Sequence, residues 1–199
     1  MKQTATERHQ LIQYMAIFIG LSTVLLWSLH TTLYTYPLLH GAGLLWFGWW
    51  CWTFAEYIAH RFFMHPHHAK NKHGKGRHHD HHLHPTAIKV TSRQRLLFAG
   101  ILMILIGLNI ILPRYFIIFT GLFSGFVWYC YMHVILHQPW TARLFPRLQQ
   151  YHVYHHCKYP DKCFGVSVTW WDRICNTTPP KEAVISDRIR HFYFSGSSH

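Results

Sequence analysis

Four stretches of this 199-residue chain are too long and too apolar for the surface of a water-soluble fold. Residues 11–29 and 115–133 hold no Asp, Glu, Lys or Arg, residues 41–60 hold Glu56 alone, and residues 96–112 have Asn109 as their strongly polar member. The hydrocarbon core of a bilayer asks for about 20 apolar residues in a helix, and each stretch comes close to that. None carries the polar face that a helix on a soluble bundle shows to water. The sequence therefore predicts an all-α membrane protein, a single domain over residues 1–199. Four transmembrane helices carry a helical cap made of residues 61–95 and 134–194. The first stretch outruns the 7–15-residue core of a signal peptide and no Ala-x-Ala site follows it, so it is expected to be retained.

The basic residues give the orientation. Of 19 Lys and Arg, 18 fall in the N-terminal tail, in residues 61–95 or after residue 134, and Arg114 alone lies between the last two spans. Basic loops stay in the cytosol, so both termini and the cap are expected there. The formal charge of +12 is accounted for by this sorting and by contact with anionic headgroups. No base-reading or stacking element accompanies it, which excludes nucleic acid as a partner.

The cap is where the chemistry concentrates. The chain has 20 His, and most lie at the predicted cytosolic ends of the second and fourth spans. His60 and His65 close the second span. They stand five residues apart, about 140° around an ideal α-helix, so the helix must bend or stop for them to meet; Pro66 favours an ending. His78, His81 and His82 form a His-x-x-His-His triplet, three imidazoles on one helix face. His133 and His137 are an i, i+4 pair at the end of the fourth span. His152, His155 and His156 repeat the triplet.

Ten imidazoles are too many for one metal and suit two; neutral imidazole favours Fe, Zn, Cu and Ni. So cationic a centre calls for nearby anions, for which Asp80, Asp161, Asp172 and Glu56 are the candidates. His67, His68 and His73 read as a solvated loop within residues 66–76, and His9, His30 and His40 as solvent or headgroup contacts. His79 and His84 fit the triplet face poorly. Of five Cys, Cys51 and Cys130 fall in spans and Cys175 in the cap. Cys157 and Cys163 lie near the last triplet. An odd count in the cytosol reads as reduced thiols rather than disulfides. Residues 195–199 are expected to fray.

At these motifs the sequence resembles the membrane fatty acid hydroxylase/sterol desaturase superfamily. Glu56-Tyr57-x-x-His60-Arg61-Phe62-x-x-His65 is similar to its first His box. His78-x-x-His81-His82 and His152-x-x-His155-His156 are similar to later ones. The run Tyr151–His156, followed by Phe164-Gly165-Val166 and Trp171-Asp172, most resembles the sphingolipid-type fatty acid 2-hydroxylases. Cys130, Gln138 and the interior His79-Asp80 depart from the family pattern, and none removes a proposed ligand. No fused cytochrome b5-like domain is expected, since the membrane unit takes up the 199 residues.

The resemblance implies O₂-dependent hydroxylation of a lipid acyl chain, at C2, by two iron ions on the ten imidazoles, with zinc able to take the same ligands. It also implies a membrane lipid as substrate and a separate electron donor, cytochrome b5-like or ferredoxin-like. The residues leave two alternatives open. One is the same chemistry on a sterol or carotenoid. The other is a non-enzymatic metal-binding or transport protein, which would be expected to place ionisable groups along its spans. The aromatic residues of the second and fourth spans (Trp46, Trp49, Trp50 and Trp52 among them) read mainly as interfacial belt and helix packing.

Overall fold

The computed structural model describes residues 4–65 and 77–196. Eight α-helices are ordered along it: α1 (Ala5–Leu33), α2 (Pro37–Ile58), α3 (Arg77–Leu83), α4 (Ser92–Ile111), α5 (Ile117–Leu136), α6 (Pro146–Cys157), α7 (Trp170–Ile174) and α8 (Asp187–Ser195). A π-helical segment, Ala59–Met64, follows α2, and short 3₁₀ turns occupy Pro85–Ala87, Arg114–Phe116 and Pro139–Arg143. No strand occurs among the described residues. The expected loop at 66–76, with His67, His68 and His73, lies outside the described residues, as do residues 197–199. Ser195 ends α8 and Gly196 caps it at φ +70°, so fraying does not begin at 195.

The chain divides into two compact units. The first comprises Met1–Ala55 and Thr91–Trp128. Among the described residues, three helices are long and apolar enough to cross a membrane: Ala5–Leu33, Ser92–Ile111 and the continuous Arg114–Leu136. α2 has the length, at 22 residues, but is not among them; the expected fourth span is not shown. Two helix starts are set by capping boxes. Thr4 and Glu7 exchange side-chain bonds with each other's backbone N–H (2.8 and 3.2 Å), and Thr91 and Gln94 do the same (2.9 and 3.3 Å). Each cap contributes ~1 kcal/mol.

Small residues let the helices of this unit meet backbone to backbone. A Cβ on Gly48 would sit 2.0 Å from the Ile118 carbonyl oxygen, and one on Gly121 would sit 1.9 Å from that of Leu45. Such close approach is how helices associate in lipid, where apolar burial between them gains little. Asn109 is satisfied by the Leu105 carbonyl (2.8 Å) and the Thr120 hydroxyl (2.7 Å). Phe18 stacks on Phe54 (ring centroids 4.1 Å) and Trp50 (4.9 Å), so these aromatic residues pack helices together. Ile12, Val24, Trp27, Met103, Ile104 and Ile110 are exposed, an apolar surface that suits lipid.

One expectation is corrected here. His40 does not face solvent: its imidazole is fully buried. The turn after α1 is so short that the first turn of α2 is drawn inward. His40 lies edge-on to Tyr34 and Tyr115 (5.7 and 5.8 Å). His30 remains exposed and hydrogen-bonds the Tyr115 hydroxyl (2.8 Å).

The second unit comprises Glu56–Val90 and Tyr129–His199. It is a cluster of short helices around histidines rather than around aliphatic residues. Val153, Tyr154, Phe164, Val166, Trp171 and Tyr193 are buried beside His60, His137, His152, His155 and His156. α6 packs against α8 and the Pro139–Arg143 turn, and α8 and α3 each pack against the Pro85–Ala87 turn.

Candidate metal centre

The ten expected imidazoles come together in two groups of five. His60, His65, His78, His82 and His155 form the first. His81, His133, His137, His152 and His156 form the second. Within each group the prospective ligand atoms all lie within 4.8 Å of one another.

Local structure explains the sorting. The π-helical segment begins at Ala59; its i→i+5 pattern places His65 over His60, which an α-helix would turn away. The bend anticipated from the sequence is thus a change of helix type. In each triplet, residues i and i+4 stand about 40° apart on the helix while i+3 lies on the other side of residue i. So His78 and His82 enter the first group and His81 the second. The last triplet divides reciprocally: His152 and His156 enter the second group and His155 the first. The i, i+4 pair His133 and His137 stays together. The His82 and His156 rings stack across the boundary at 4.1 Å. His79, Asp80 and His84 are exposed.

The contacts between these rings show what they suit. In the first group His78 Nε2 lies 3.1 Å from His60 Nε2, 2.7 Å from His65 Nε2 and 3.0 Å from His82 Nε2, and His155 Nε2 lies 2.9 Å from His65 Nε2. In the second, His81 Nε2 is 2.9 Å from His133 Nε2, and His137 Nε2 is 3.1 Å from His152 Nε2. His60 Nδ1 donates to the Phe164 carbonyl (2.6 Å) and His155 Nδ1 to the Lys162 carbonyl (2.7 Å). Those bonds put the proton on Nδ1 and leave a lone pair on Nε2. Lone pairs crowded this closely repel unless a cation lies among them. With metal–nitrogen bonds of about 2.1 Å, neighbouring ligand nitrogens stand roughly 3–4 Å apart, so the donor set fits a metal in each group.

Burial keeps these rings in the neutral form that binds metal. His78 is lowered to about 3, first by burial and then by His65 and His81. Burial lowers His81 to about 4 and, with His78 and His65, lowers His82 to about 2. His137 is lowered to about 3 by burial and by His81. His152, His155 and His156 fall well below the usual imidazole range for the same two causes. No cysteine belongs to either group; Cys157 and Cys163 are free thiols, and burial pushes Cys157 up to about 12.

The carboxylates do something other than what the sequence suggested. Glu56 and Asp172 are buried, yet they hold a loop instead of an imidazole. Glu56 Oε1 accepts from the Val166 and Ser167 N–H groups (2.8 Å each) and Oε2 from the Ser167 hydroxyl (2.5 Å). Asp172 Oδ1 accepts from Phe164 N–H (2.8 Å) and the Thr177 hydroxyl (2.8 Å), and Oδ2 from Gly165 N–H (3.0 Å). Burial raises the Asp172 carboxyl to about 6 against the pull of those hydrogen bonds. Asp80 and Asp161 are exposed.

The loop so held aims two carbonyls at the first group. Cys163 sits between Lys162 and Phe164 at φ 59°, a left-handed turn that is costly for a side chain with Cβ. Gly165 is required by close approach, since a Cβ there would lie 2.0 Å from the Val168 carbonyl oxygen. Behind it, Arg61 donates to the Tyr57 hydroxyl (2.8 Å), which pairs with Thr177 (2.9 Å), which donates to Asp172. The residues around His60 in the first motif therefore build the layer outside the ligands. Sequence reasoning missed the carbonyls of Lys162 and Phe164, because a backbone acceptor leaves no trace in residue type. It also missed Ser167, Thr177 and Tyr193, which carry no metal-ligand pattern.

The fatty acid hydroxylase family profile matches residues 45–177. The chain is 33% identical over 156 residues to the fatty acid 2-hydroxylase of Mus musculus, covering 71% of this chain and 41% of that protein. It is 32% identical over 148 residues to the dihydroceramide fatty acyl 2-hydroxylase FAH1 of Arabidopsis thaliana, covering 66% of this chain and 59% of that protein. The chain thus spans about two fifths to three fifths of the curated relatives it matches. A solved structure of full-length Scs7p, with only its hydroxylase domain visible, aligns over 87% of this chain and 69% of that one, with a TM-score of 0.48 and 23% identity.

Proposed function

The chain belongs to the fatty acid hydroxylase family, and from that premise we propose that it hydroxylates a lipid acyl chain at C2. The overall change is R–H + O₂ + 2e⁻ + 2H⁺ → R–OH + H₂O. The observation that carries the reading is the pair of five-imidazole groups. The 2-hydroxylase names of the mouse and Arabidopsis relatives favour C2.

His60, His65, His78, His82 and His155 would hold one iron ion, and His81, His133, His137, His152 and His156 the other; zinc fits the same ligands. Bound iron supplies the oxidising power, from O₂ and two electrons, to break a C–H bond that offers no acidic proton. The protein's own contribution is orientation and exclusion. Phe164 and Lys162 carbonyls fix the His60 and His155 rings, Glu56 and Asp172 fix those carbonyls, and burial keeps protons off the ligands. Both units belong to one hydroxylase domain in this reading, with α2 as a fourth span and both termini in the cytosol. The substrate is a membrane lipid whose acyl tail enters from the bilayer. Electrons come from a separate donor, cytochrome b5-like or ferredoxin-like, for which the exposed cations near the last triplet, Lys158 and Arg173, offer a docking surface.

The test is expression of wild type and His155→Ala in a host lacking 2-hydroxy fatty acids, followed by mass analysis of hydrolysed lipids. Wild type is expected to yield 2-hydroxy acids and His155→Ala none. Oxidation of a sterol or carotenoid instead would reject the substrate and keep the chemistry; no oxidised lipid from wild type with a competent donor would reject the enzyme.

A further inference from the structure

The two imidazole groups are supported unequally. In the first, the outer nitrogens of His60 and His155 donate to backbone carbonyls. In the second, His137 Nδ1, His152 Nδ1 and both ring nitrogens of His156 are buried with no hydrogen-bond partner among the described residues. A ligand imidazole whose outer N–H is bonded is fixed in tautomer and orientation and is the more basic for it. Losing such a partner costs roughly 10–100-fold in metal affinity. The second group needs another means of holding its rings.

That means is Tyr193. Its ring is fully buried and stacks on His137 with centroids 4.6 Å apart and planes 21° apart. It also meets His156 edge-on at 5.6 Å and His152 at 6.3 Å. Its hydroxyl donates to the Leu136 carbonyl (3.1 Å), one of the C-terminal carbonyls of α5 that have no partner within the helix. Together with Gln149 Nε2, which donates to the same carbonyl (3.1 Å), Tyr193 fixes the backbone immediately before His137, while its ring stacks on the His137 imidazole.

The helix that delivers Tyr193 is itself tied down. Ser186 caps its N-terminus through Ile189 N–H (3.3 Å). The Tyr154 hydroxyl of α6 donates to the Ala183 carbonyl (2.5 Å) and Lys158 donates to that of Val184 (3.4 Å). At the other end Gly196 turns the chain against Thr86: a Cβ there would lie 3.0 Å from the Thr86 hydroxyl, in a left-handed conformation that favours glycine. α8 lies beyond residues 45–177, the part that matches the family.

We propose that Tyr193 is a positioning residue for the second metal centre alone, and that this centre is the more labile of the two. The proposal rests on the reading of both groups as metal centres. Its selectivity follows from the geometry: each of the three imidazoles that Tyr193 touches belongs to the second group.

The test measures metal release rather than turnover. Full-length protein in detergent is loaded with zinc, counted by mass spectrometry, and mixed with excess chromogenic chelator. Wild type is expected to hold two zinc ions and release them in two phases. His81→Ala should lack the fast phase and His82→Ala the slow one, which assigns them. Tyr193→Leu, losing ring and hydroxyl, is expected to release the fast ion about 10–100-fold faster, or to be purified without it, with the slow phase within twofold of wild type. Tyr193→Phe keeps the stack and should recover most of the difference. A single phase in wild type, equal acceleration of both phases, or wild-type rates in Tyr193→Leu would overturn the proposal. If Tyr193→Leu does not fold, Tyr193→Met, which also removes the stacked ring, decides on the same terms: equal effects on both phases, or none on either, would overturn it. Wild type that binds no zinc or iron would instead overturn the metal-centre reading beneath it.

Discussion

The same chemical change, carboxylate to amide, should have opposite outcomes at Glu56 and Asp172. In Glu56→Gln the amide oxygen can replace Oε1 and accept from both Val166 and Ser167 N–H. The new amide N–H₂ then faces the Ser167 hydroxyl, which can rotate to accept. All three contacts survive, and the change in stability is expected to stay within ~1 kcal/mol. In Asp172→Asn an oxygen at Oδ1 keeps the bonds from Phe164 and Thr177, but the amide N–H₂ then points at Gly165 N–H. Flipping the amide instead sets the N–H₂ against Phe164 N–H, because the Thr177 hydroxyl can rotate to accept but a backbone N–H cannot. Two buried donors facing each other cost about 2–4 kcal/mol, or roughly 4–16 °C in melting temperature for a chain of this size.

The consequence should reach the metal. Phe164 carries the carbonyl that fixes His60, so Asp172→Asn is expected to weaken zinc at the first centre about tenfold and leave the second unchanged. Thermal unfolding by tryptophan fluorescence and zinc titration of both variants at pH 7.5 measure this. Equal melting temperatures, or a less stable Glu56→Gln, would refute the hydrogen-bond account of these carboxylates.

Three further outcomes follow from the geometry. His81→Ala and His82→Ala, adjacent in sequence, should each leave one metal per chain but at different centres; in iron-loaded protein their spectra should differ, and identical spectra would contradict the reciprocal division of the triplets. Gly48→Ala, whose methyl would collide with a carbonyl oxygen at 2.0 Å, should cost about 1–3 kcal/mol or more in melting experiments. Gly100→Ala, with nothing within 4 Å, should gain up to ~1 kcal/mol. Metal-free protein should lose stability as the pH falls below 6.5. Unfolded imidazoles then take up protons that His81, held at about 4, and His78 and His137, held at about 3, still refuse. Each such group contributes up to ~1.4 kcal/mol per pH unit between its folded value and 6.5, and denaturant melts at pH 7 and 5 would show it.

What the sequence could reveal depended on whether side-chain type carried the information. Apolar length announces α1, α4 and α5, and His spacing announces all ten imidazoles, because helical periodicity converts spacing into direction. The division of each triplet between two groups also follows from that periodicity, but only once imidazoles converge from opposite sides. His60 and His65 looked incompatible because an α-helix was assumed; six residues of π-helix remove the conflict. Cys163 in a left-handed conformation gives no warning, since glycine or asparagine is the usual marker. Residue type does not separate Asp172 and Glu56 from the exposed Asp80 and Asp161, nor does it show their partners: a buried carboxylate is as readily held by backbone N–H groups as by an imidazole. Tyr193 was invisible for a different reason. An aromatic residue near a C-terminus has no pattern of its own, and only packing shows which ring it touches.

The proposed reaction takes from O₂ the hydroxyl oxygen it places on C2 of an acyl chain. Cells expressing the protein under ¹⁸O₂ test it most directly, with hydrolysed lipids analysed by mass spectrometry. 2-Hydroxy fatty acids carrying one ¹⁸O in the hydroxyl group are expected, absent when His155 is replaced by Ala. Hydroxyl oxygen drawn from water, a hydroxyl at another carbon, or no oxidised acyl chain in the presence of a competent electron donor would contradict it.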